Sequence, residues 1–134
     1  MFSTSTLFVS LIAATGTLAA PAADNIFQKR ELSCQDNGGG YRPVAAAQSC
    51  VDYLNSKSGD DCAIDGENGI FAQNGDTVIA GSNISGDDKA SSSCGDVAAA
   101  AQAIIDSCTN AQQEVAGHNE ARGNGDLIIS INHK

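Results

Sequence analysis

The sequence predicts an α+β fold in which two helices pack on one face of a mostly antiparallel sheet, an α/β sandwich stabilised by disulfides. Three observations indicate it. Apolar residues recur at spacings of three and four within residues 44–58 and 93–108, which is the periodicity of amphipathic helices. Short apolar segments flank a turn at Asn74-Gly75, and an alternating segment lies near the end of the chain. The chain also holds five cysteines, all of them after residue 33.

The first helix is expected to begin after Pro43, because proline suits a first helical turn. It is expected to end near Ser58 and Gly59, where glycine can adopt a left-handed cap. Its apolar face is predicted to consist of Val44, Ala47, Val51 and Leu54.

A β-hairpin is predicted around Asn74-Gly75, because both residues tolerate the positive φ that a two-residue turn requires. With this loop, Phe71 is expected opposite Val78. A short strand is expected at residues 62–64, and residues 81–92 are expected to form a polar loop.

The second helix is predicted to begin after Ser92 or Ser93, either of which can cap it, and to run to Cys108. A short strand is expected at residues 114–118 and a longer one at residues 127–131. The residues expected to face the core are Val97, Ala101, Ile104, Ile105 and Cys108 of the helix and Leu127, Ile129 and Ile131 of the last strand.

The chain begins with the pattern of a secretory signal peptide, an uncharged apolar core at residues 7–14 followed by small residues. Thr17 and Ala19 fit the small-residue rule for cleavage. Residues 1–19 are therefore interpreted as a signal peptide, and the protein is expected to be secreted and extracellular.

A dibasic pair, Lys29-Arg30, follows the signal after a nondescript stretch. Such a pair is typical of a site for a processing protease of the secretory pathway, and the alternative is two surface cations in a tail. We expect cleavage after Arg30, which makes residues 20–30 a propeptide and residues 31–134 a single mature domain.

The mature segment is strongly acidic. Without Asp24, Lys29 and Arg30, 15 acidic and 5 basic side chains remain, a formal net charge of −10. Such a surface repels phosphate backbones and anionic membranes, so nucleic acid is not an expected partner. No apolar segment reaches the roughly 20 residues that a membrane-spanning helix needs, so no membrane span is expected.

The cysteines constrain the possible disulfides. Five cysteines allow at most two bridges and one free thiol. Cys94 and Cys108 bracket a helix about 21 Å long, and a disulfide needs α-carbons within about 7 Å, so these two are not expected to bond to each other. The odd thiol is expected to be buried, with an exposed reactive thiol or a disulfide-linked dimer as alternatives. The disulfide candidates are Cys34, Cys50, Cys62, Cys94 and Cys108.

The strongest catalytic candidates are His118, Glu120 and Arg122. In an extended stretch they share one face and could act as general acid, general base and anion stabiliser of a small ribonuclease or hydrolase, with His133 as a second proton-transfer group. The same stretch reads equally well as an exposed loop with ordinary surface charges. We therefore assign no catalytic residue.

Asn83-Ile84-Ser85 is an N-glycosylation sequon, so Asn83 is a candidate glycan acceptor. No metal site or cofactor is expected, because the cysteines form no close CxxC pair and both histidines lie far from every cysteine in sequence.

Three segments carry a resemblance to a known group of proteins: Cys94-Gly95-Asp96-Val97, the helix through residues 104–108, and the strand at residues 125–132 after a glycine. In this layout the chain resembles the killer-toxin-like small secreted proteins of fungi and the related necrosis-inducing effectors of plant-associated fungi. The resemblance implies an α/β sandwich, fungal secretion, no cofactor, and action as a toxin or host-directed effector. The odd cysteine count and the negative charge depart from the group, and no functional residue is carried over.

Three functions therefore compete. The first is a secreted toxin-like or effector protein that binds an unknown protein or cell-surface target. The second is a small hydrolase that uses His118, Glu120 and Arg122, and the third is a structural cell-surface protein. An enzyme requires these three side chains to converge in one pocket, whereas a binding protein requires a flat or apolar exposed patch.

Overall fold

The computed structural model describes residues 32–35 and 40–134. The predicted signal peptide, propeptide and Lys29-Arg30 site lie outside the described residues. In chain order the elements are β1 (Arg42–Pro43), α1 (Val44–Asn55), β2 (Asp61–Asp65), β3 (Asn68–Asn74), β4 (Thr77–Asn83), β5 (Lys89–Ser93), α2 (Cys94–Cys108), β6 (Glu114–Val115), β7 (Gly117–Ala121) and β8 (Asn124–His133).

The strands form three antiparallel sheets. The main sheet has four strands in the order β3-β4-β8-β7, and the pairs β1-β6 and β2-β5 form two small sheets. Ser33 adds an antiparallel bridge to His118. The fold is thus α+β, as predicted, although strand residues outnumber helix residues and are divided among three sheets.

Both helices lie against the main sheet and against each other. α1 contacts β3 and β4, whereas α2 contacts β7 and β8. Between the helices, Gln48 Nε2 donates to Gln102 Oε1 at 2.8 Å, and Gln102 Nε2 donates to Gln48 Oε1 at 3.1 Å. The hydrophobic core fills the space between the helices and the sheet, because both layers turn their apolar side chains toward it. Its largest fully buried members include Val51, Leu54, Ile79, Val97, Ile104, Leu127, Ile129 and Ile131.

The predicted core-facing residues are largely confirmed. Every residue predicted for the inner face of α2 and of β8 is buried. In α1, Ala47, Val51 and Leu54 are buried, whereas Val44 is only partly buried against the core. The 3.6-residue and two-residue periodicities therefore identified the correct faces.

The helix ends differ in how well the sequence predicted them. Ser93 caps α2 as expected, since its Oγ accepts a hydrogen bond from Asp96 N at 3.1 Å. α1 ends at Asn55, earlier than the predicted end near Ser58. Ser56 Oγ donates to the carbonyl of Tyr53. A serine that bonds to nearby backbone in this way competes with continuation of a helix.

The hairpin has a different loop from the one predicted. Its loop is Gly75-Asp76 rather than Asn74-Gly75, and of these residues only Gly75 has a positive φ, of 61°. Glycine at the first central position matches a type II′ turn, which needs one positive φ rather than two. The predicted pairing of Phe71 with Val78 is therefore wrong, and Gln73 lies opposite Val78.

A β-bulge at Phe71 shifts the register of β3 further. The pairing jumps between Ile70 and Ala72, which leaves Phe71 as the extra residue. Phe71 packs against the core beside Ile64, and the two side chains occupy the space above Gly81. The bulge thus lets two neighbouring residues, Phe71 and Ala72, both face the core, which strict alternation does not allow.

Residues 81–92 are not the polar loop that the sequence predicted. β4 continues to Asn83, and Lys89–Ser93 forms β5, which pairs with β2 along its whole length. The sequence Lys-Ala-Ser-Ser-Ser has little intrinsic preference for strands, and Ala90 is its one buried residue. The pairing partner, rather than local propensity, determines this strand.

The disulfides connect the two ends of α2 to different parts of the chain. Cys34 bonds to Cys108 and Cys62 bonds to Cys94, with α-carbon separations of 5.1 and 5.0 Å. Cys94 and Cys108 do not bond to each other, as the helix length predicted. Cys50 is the free thiol and is only 2% exposed. A disulfide-linked dimer through the odd cysteine is therefore not available to the folded chain.

We expect Gly81→Ala to destabilise the protein. An added Cβ would lie 2.6 Å from Ile64 Cδ1 and 2.7 Å from Phe71 Cε2, both in the core. Overpacking of this kind costs about 1–3 kcal/mol in the free energy of unfolding, measured by chemical denaturation. Gly59→Ala is the matched control, because its added Cβ would meet no atom within 4 Å. Equal stability of the two variants would contradict this packing.

We expect Cys50 to resist thiol reagents until the protein unfolds. Burial raises the pKa of the Cys50 thiol, so the reactive thiolate is disfavoured as well as shielded. Labelling of the native protein at pH 8 should be at least about 100-fold slower than in denaturant. In denaturant one thiol per chain should react, and after reduction of the disulfides all five should react. Rapid labelling of the native protein would show that Cys50 is exposed.

Candidate functional site

One side of the main sheet is covered by the helices, and the described residues leave its other side uncovered. Since side chains alternate along a strand, the residues between the core-facing positions of β4 and β8 point to this second side. We name it the open face. Its members are Ile70, Val78, Ala80, Ser82, Ile84, His118, Ile128, Ser130 and Asn132.

The open face contains two adjoining grooves. One has a volume of about 520 Å³ and lies over β3, β4 and β8. The other has a volume of about 350 Å³ and extends over β8 to His118 of β7. Both are lined by Ser82, Ser130 and Asn132, so they form one continuous surface.

Large apolar side chains are exposed at two edges of this surface. Ile70 on β3 is 52% exposed and Ile84, just after β4, is 47% exposed. Val78 is almost fully buried and Ile128 partly so, which makes the centre of the face dense rather than hollow. An exposed apolar patch with a polar border is a common feature of protein-binding surfaces.

The polar groups of the open face mostly bond to each other. Ser82 Oγ donates to Asn68 Oδ1 at 3.0 Å, and Asn132 Nδ2 donates to Ser130 Oγ at 2.6 Å. His118 Nδ1 is the exception among the described side chains, since it is buried without a hydrogen-bond partner. These two hydrogen bonds hold the side chains of Ser82, Asn68, Asn132 and Ser130 in fixed positions.

The charges around the open face are unevenly arranged. Neither groove is lined by an Asp or Glu side chain, although residues 31–134 include 15 acidic residues. Carboxylates lie at its border instead. Glu120 stands across from Ile128, and Ile84 N donates to the carbonyl of Asp126 at 2.9 Å. The surface thus has a carboxylate-free centre with acidic groups beside it.

The three catalytic candidates do not line one pocket. His118 and Glu120 lie in strand β7 and Arg122 in the turn that follows it. His118 lines the open face, whereas Glu120 and Arg122 line a separate depression of about 340 Å³ beside α2. His133 lies near Asp76, with Nε2 4.0 Å from Oδ2. The arrangement does not bring an acid, a base and a cation to one reacting atom.

Asn83, the candidate glycan acceptor, uses its whole side chain in hydrogen bonds. Its Nδ2 donates to the carbonyl of Gly66 at 3.0 Å and to that of Asp87 at 2.8 Å. Its Oδ1 accepts from the backbone N and the Oγ of Ser85 at 3.0 and 2.6 Å. The amide therefore joins the turn after β2 to the segment after β4.

A glycan on Asn83 conflicts with this arrangement. The sugar would replace one of the two hydrogens on Nδ2, and both of these hydrogens are donated to backbone carbonyls. One carbonyl would lose its partner, and the sugar would have to fit between the two segments.

The described residues contain no group of three or more His, Cys, Asp or Glu side chains placed to hold a metal ion. In residues 32–35 and 40–134, neither helix is long and apolar enough to cross a membrane.

The open face was missed by the sequence analysis. Its signal was present in β4, where Ala80 and Ser82 stand on either side of the buried Gly81, but the predicted hairpin register, with Phe71 opposite Val78, was wrong. Ile84 lies in a segment predicted to be a polar loop, which concealed its place on the open face.

The chain belongs to the family DUF8794, a domain of unknown function, whose family model matches residues 29–133. No curated protein and no solved structure matches the chain significantly.

We expect Asn83 to carry no glycan in the folded protein, because its amide is committed to the two carbonyls. Intact mass before and after glycosidase treatment measures this directly. Asn83→Asp should also lower the free energy of unfolding by about 1–3 kcal/mol, since it leaves two carbonyls without donors. Asn74→Asp, an exposed site in the same sheet, serves as the control for added charge. A glycan on the folded protein would refute this role of the amide.

Proposed function

We propose that this chain is a small secreted protein that acts by binding a protein or cell-surface target through the open face. The observation that carries the proposal is the continuous uncovered side of the main sheet, with Ile70 and Ile84 about half exposed. Apolar area that the described residues leave exposed favours a partner that covers it.

Two kinds of observation support secretion. The sequence begins with a signal-like segment followed by a dibasic pair, as described above. Two disulfides cross-link the described part of the chain, and such bonds are typical of oxidising compartments. The proposed mature form begins at residue 31, after cleavage at Lys29-Arg30.

Within this proposal, the finer role is that of a killer-toxin-like or host-directed effector protein of a fungus. The resemblance of α2 and β8 to that group is the support for it. The separation of His118 from Glu120 and Arg122 favours binding over the hydrolase hypothesis. A structural role at the cell surface is the remaining alternative, and a bioassay distinguishes it.

The experiment applies the purified mature protein to plant leaves and to competing fungi. We expect necrosis or growth inhibition from the wild type. Ile84→Asp and Ile70→Asp should each raise the dose needed for the effect at least about tenfold, because a charge buried within an interface is costly to desolvate. Both residues are about half exposed, so the substitutions should leave the core intact.

Tyr41→Asp is the matched control, since Tyr41 is 40% exposed and lies outside the open face. Its activity should equal that of the wild type. Inactivity of the wild type in both assays would favour a structural protein. Full activity of both isoleucine variants would exclude the open face as the binding surface.

A further inference from the structure

We propose that the outer edge of β3, with the groove between it and α1, binds an extended peptide segment of a partner protein, which adds a fifth strand to the main sheet. The segment has apolar side chains and a net positive charge. We name this surface the β3 edge; its members are Tyr53, Asn68, Ile70, Phe71, Ala72 and Gln73. It meets the open face at Ile70, but the inference goes beyond the proposed function and does not depend on it.

The two edge strands of the main sheet are bordered differently. On the outer side of β7, Ser33 forms an antiparallel bridge with His118, and Cys34 is bonded to Cys108. At the opposite edge, β3 pairs with β4 alone. Unpaired backbone groups along an edge strand are a template for pairing with another chain, and several protein families bind extended peptides in this way.

The hydrogen bonds beside β3 show which of its backbone groups point outward. Asn83 N donates to the carbonyl of Glu67 at 2.7 Å, so these two residues form a bonded pair just before β3 begins. Bonded and non-bonded pairs alternate along an antiparallel ladder. Asn68 and Ile70 therefore turn their N–H and C=O groups away from β4.

A third outward residue lies near the turn. The two-residue loop Gly75-Asp76 closes on the pair of Asn74 with Thr77, which makes that pair the bonded one and turns the backbone of Gln73 outward. All three outward residues are exposed. In the described part of the chain, no group bonds to their outward N–H and C=O groups.

Apolar surface lies on both sides of the β3 edge. A groove of about 330 Å³ runs between Tyr53 of α1 and residues 70–73. Tyr53 is 50% exposed and Ile70 is 52% exposed, more than any other large apolar side chain of the described residues. Because side chains alternate along a strand, an added strand places one set of side chains beside Tyr53 and the other beside Ile70. The matching segment is therefore apolar on both sides.

The charges near β3 favour a cationic segment. The seven residues of β3 include no charged residue and no proline, the residues that commonly prevent pairing at a sheet edge. Exposed Glu67 and Asp76 flank the strand, and residues 31–134 have a formal net charge of −10. Lys57 is a cation close to the groove, with Nζ 5.4 Å from the centre of the Tyr53 ring. The overall field attracts a cationic segment and repels a second copy of this acidic chain.

The bulge at Phe71 restricts the length of strand that can pair with β3. It separates the regular stretch that contains Asn68 and Ile70 from the one that contains Gln73. Bulges increase the local twist and prevent long, flat pairing between sheet edges. A short segment can follow such an edge, whereas two copies of β3 cannot pair along their whole length.

The probe is a library of random twelve-residue peptides displayed on phage and selected on the purified protein with both disulfides formed. We expect enrichment over a blank surface of peptides with β-branched or aromatic residues at the centre and Lys or Arg near the ends. The enriched peptides are then synthesised and their Kd is measured. Added salt should raise the Kd, because it screens the attraction between the peptide and the acidic protein.

Methylation of single backbone nitrogens of the peptide tests strand pairing. Alternate N–H groups of an added strand face β3, so methylation should weaken binding at least about tenfold at every second position and much less between them. Hydrogen exchange tests the same bonds from the protein. At saturating peptide the amides of Ile70 and Gln73 should exchange at least about tenfold more slowly, whereas the amide of Gly69, which faces β4, should change little.

Two variants locate the contact. Tyr53→Ala should raise the Kd at least about tenfold, because it removes the exposed ring from the groove, and alanine preserves α1. Tyr41→Ala is the matched control, since Tyr41 is 40% exposed and does not line the groove, and its Kd should equal that of the wild type. Gln73→Pro removes one outward N–H and should also weaken binding, because proline is accepted at edge positions whose N–H faces solvent.

Absence of enriched peptides would overturn the inference, and so would methylation effects without a period of two or an unchanged Kd for Tyr53→Ala. Peptides that shift the methyl signals of Ile84 and Ile128 but leave the exchange of Ile70 and Gln73 unchanged would also overturn it, while they support binding at the open face. Slower exchange of these two amides at high concentration of the protein alone would identify a second copy as the occupant instead. Failure of the bioassay does not affect these measurements.

Discussion

The structure depends on a helix that is held covalently at both ends. α2 begins at Cys94, bonded to Cys62 of β2, and ends at Cys108, bonded to Cys34 in the segment that pairs with β7. Between these bonds its apolar face packs on β7 and β8 and beside α1. The core contains much alanine and little aromatic area, and small side chains stabilise a domain of this size modestly. Cross-links that restrict the unfolded chain contribute about 2–4 kcal/mol each, which is a large share of the stability of a small domain.

The same attachment explains why the main sheet has one open side. Both bonds hold α2 on one side of the sheet, where α1 also lies, so the described chain has no helix left for the other side. Strand β8 shows the result most clearly. Leu127, Ile129 and Ile131 are fully buried on one side, whereas Ile128 and Asn132 remain partly exposed on the other. No Asp or Glu lines the grooves of the open face, and Glu120 stands beside them, across from Ile128.

The sequence predicted the features that depend on periodicity and covalent geometry. It did not predict the strands and registers that depend on tertiary contacts. The inner faces of α2 and β8, the Ser93 cap and the absence of a bond between Cys94 and Cys108 follow from local spacing. Strand β5 does not, because Lys-Ala-Ser-Ser-Ser becomes a strand only through its pairing with β2. The hairpin register depends on whether the two-residue loop is Asn74-Gly75 or Gly75-Asp76, and both contain Gly75. The bulge at Phe71 cannot be predicted from the alternation of apolar and polar residues. The open face was hidden for the same reason, since its members come from four strands whose register the sequence did not determine. The catalytic candidates share a strand in part, but His118 lines a groove that Glu120 and Arg122 do not line.

Disulfide mapping tests the central claim most directly. The purified protein is alkylated without reduction, digested, and analysed by mass spectrometry for cross-linked peptides. The account predicts two bridged species, Cys34 with Cys108 and Cys62 with Cys94, and an alkylated Cys50 that is modified only after unfolding. A bridge that includes Cys50, or two bridges that leave either end of α2 free, would contradict it, because the helix would then lack the attachments that hold it on one side of the sheet.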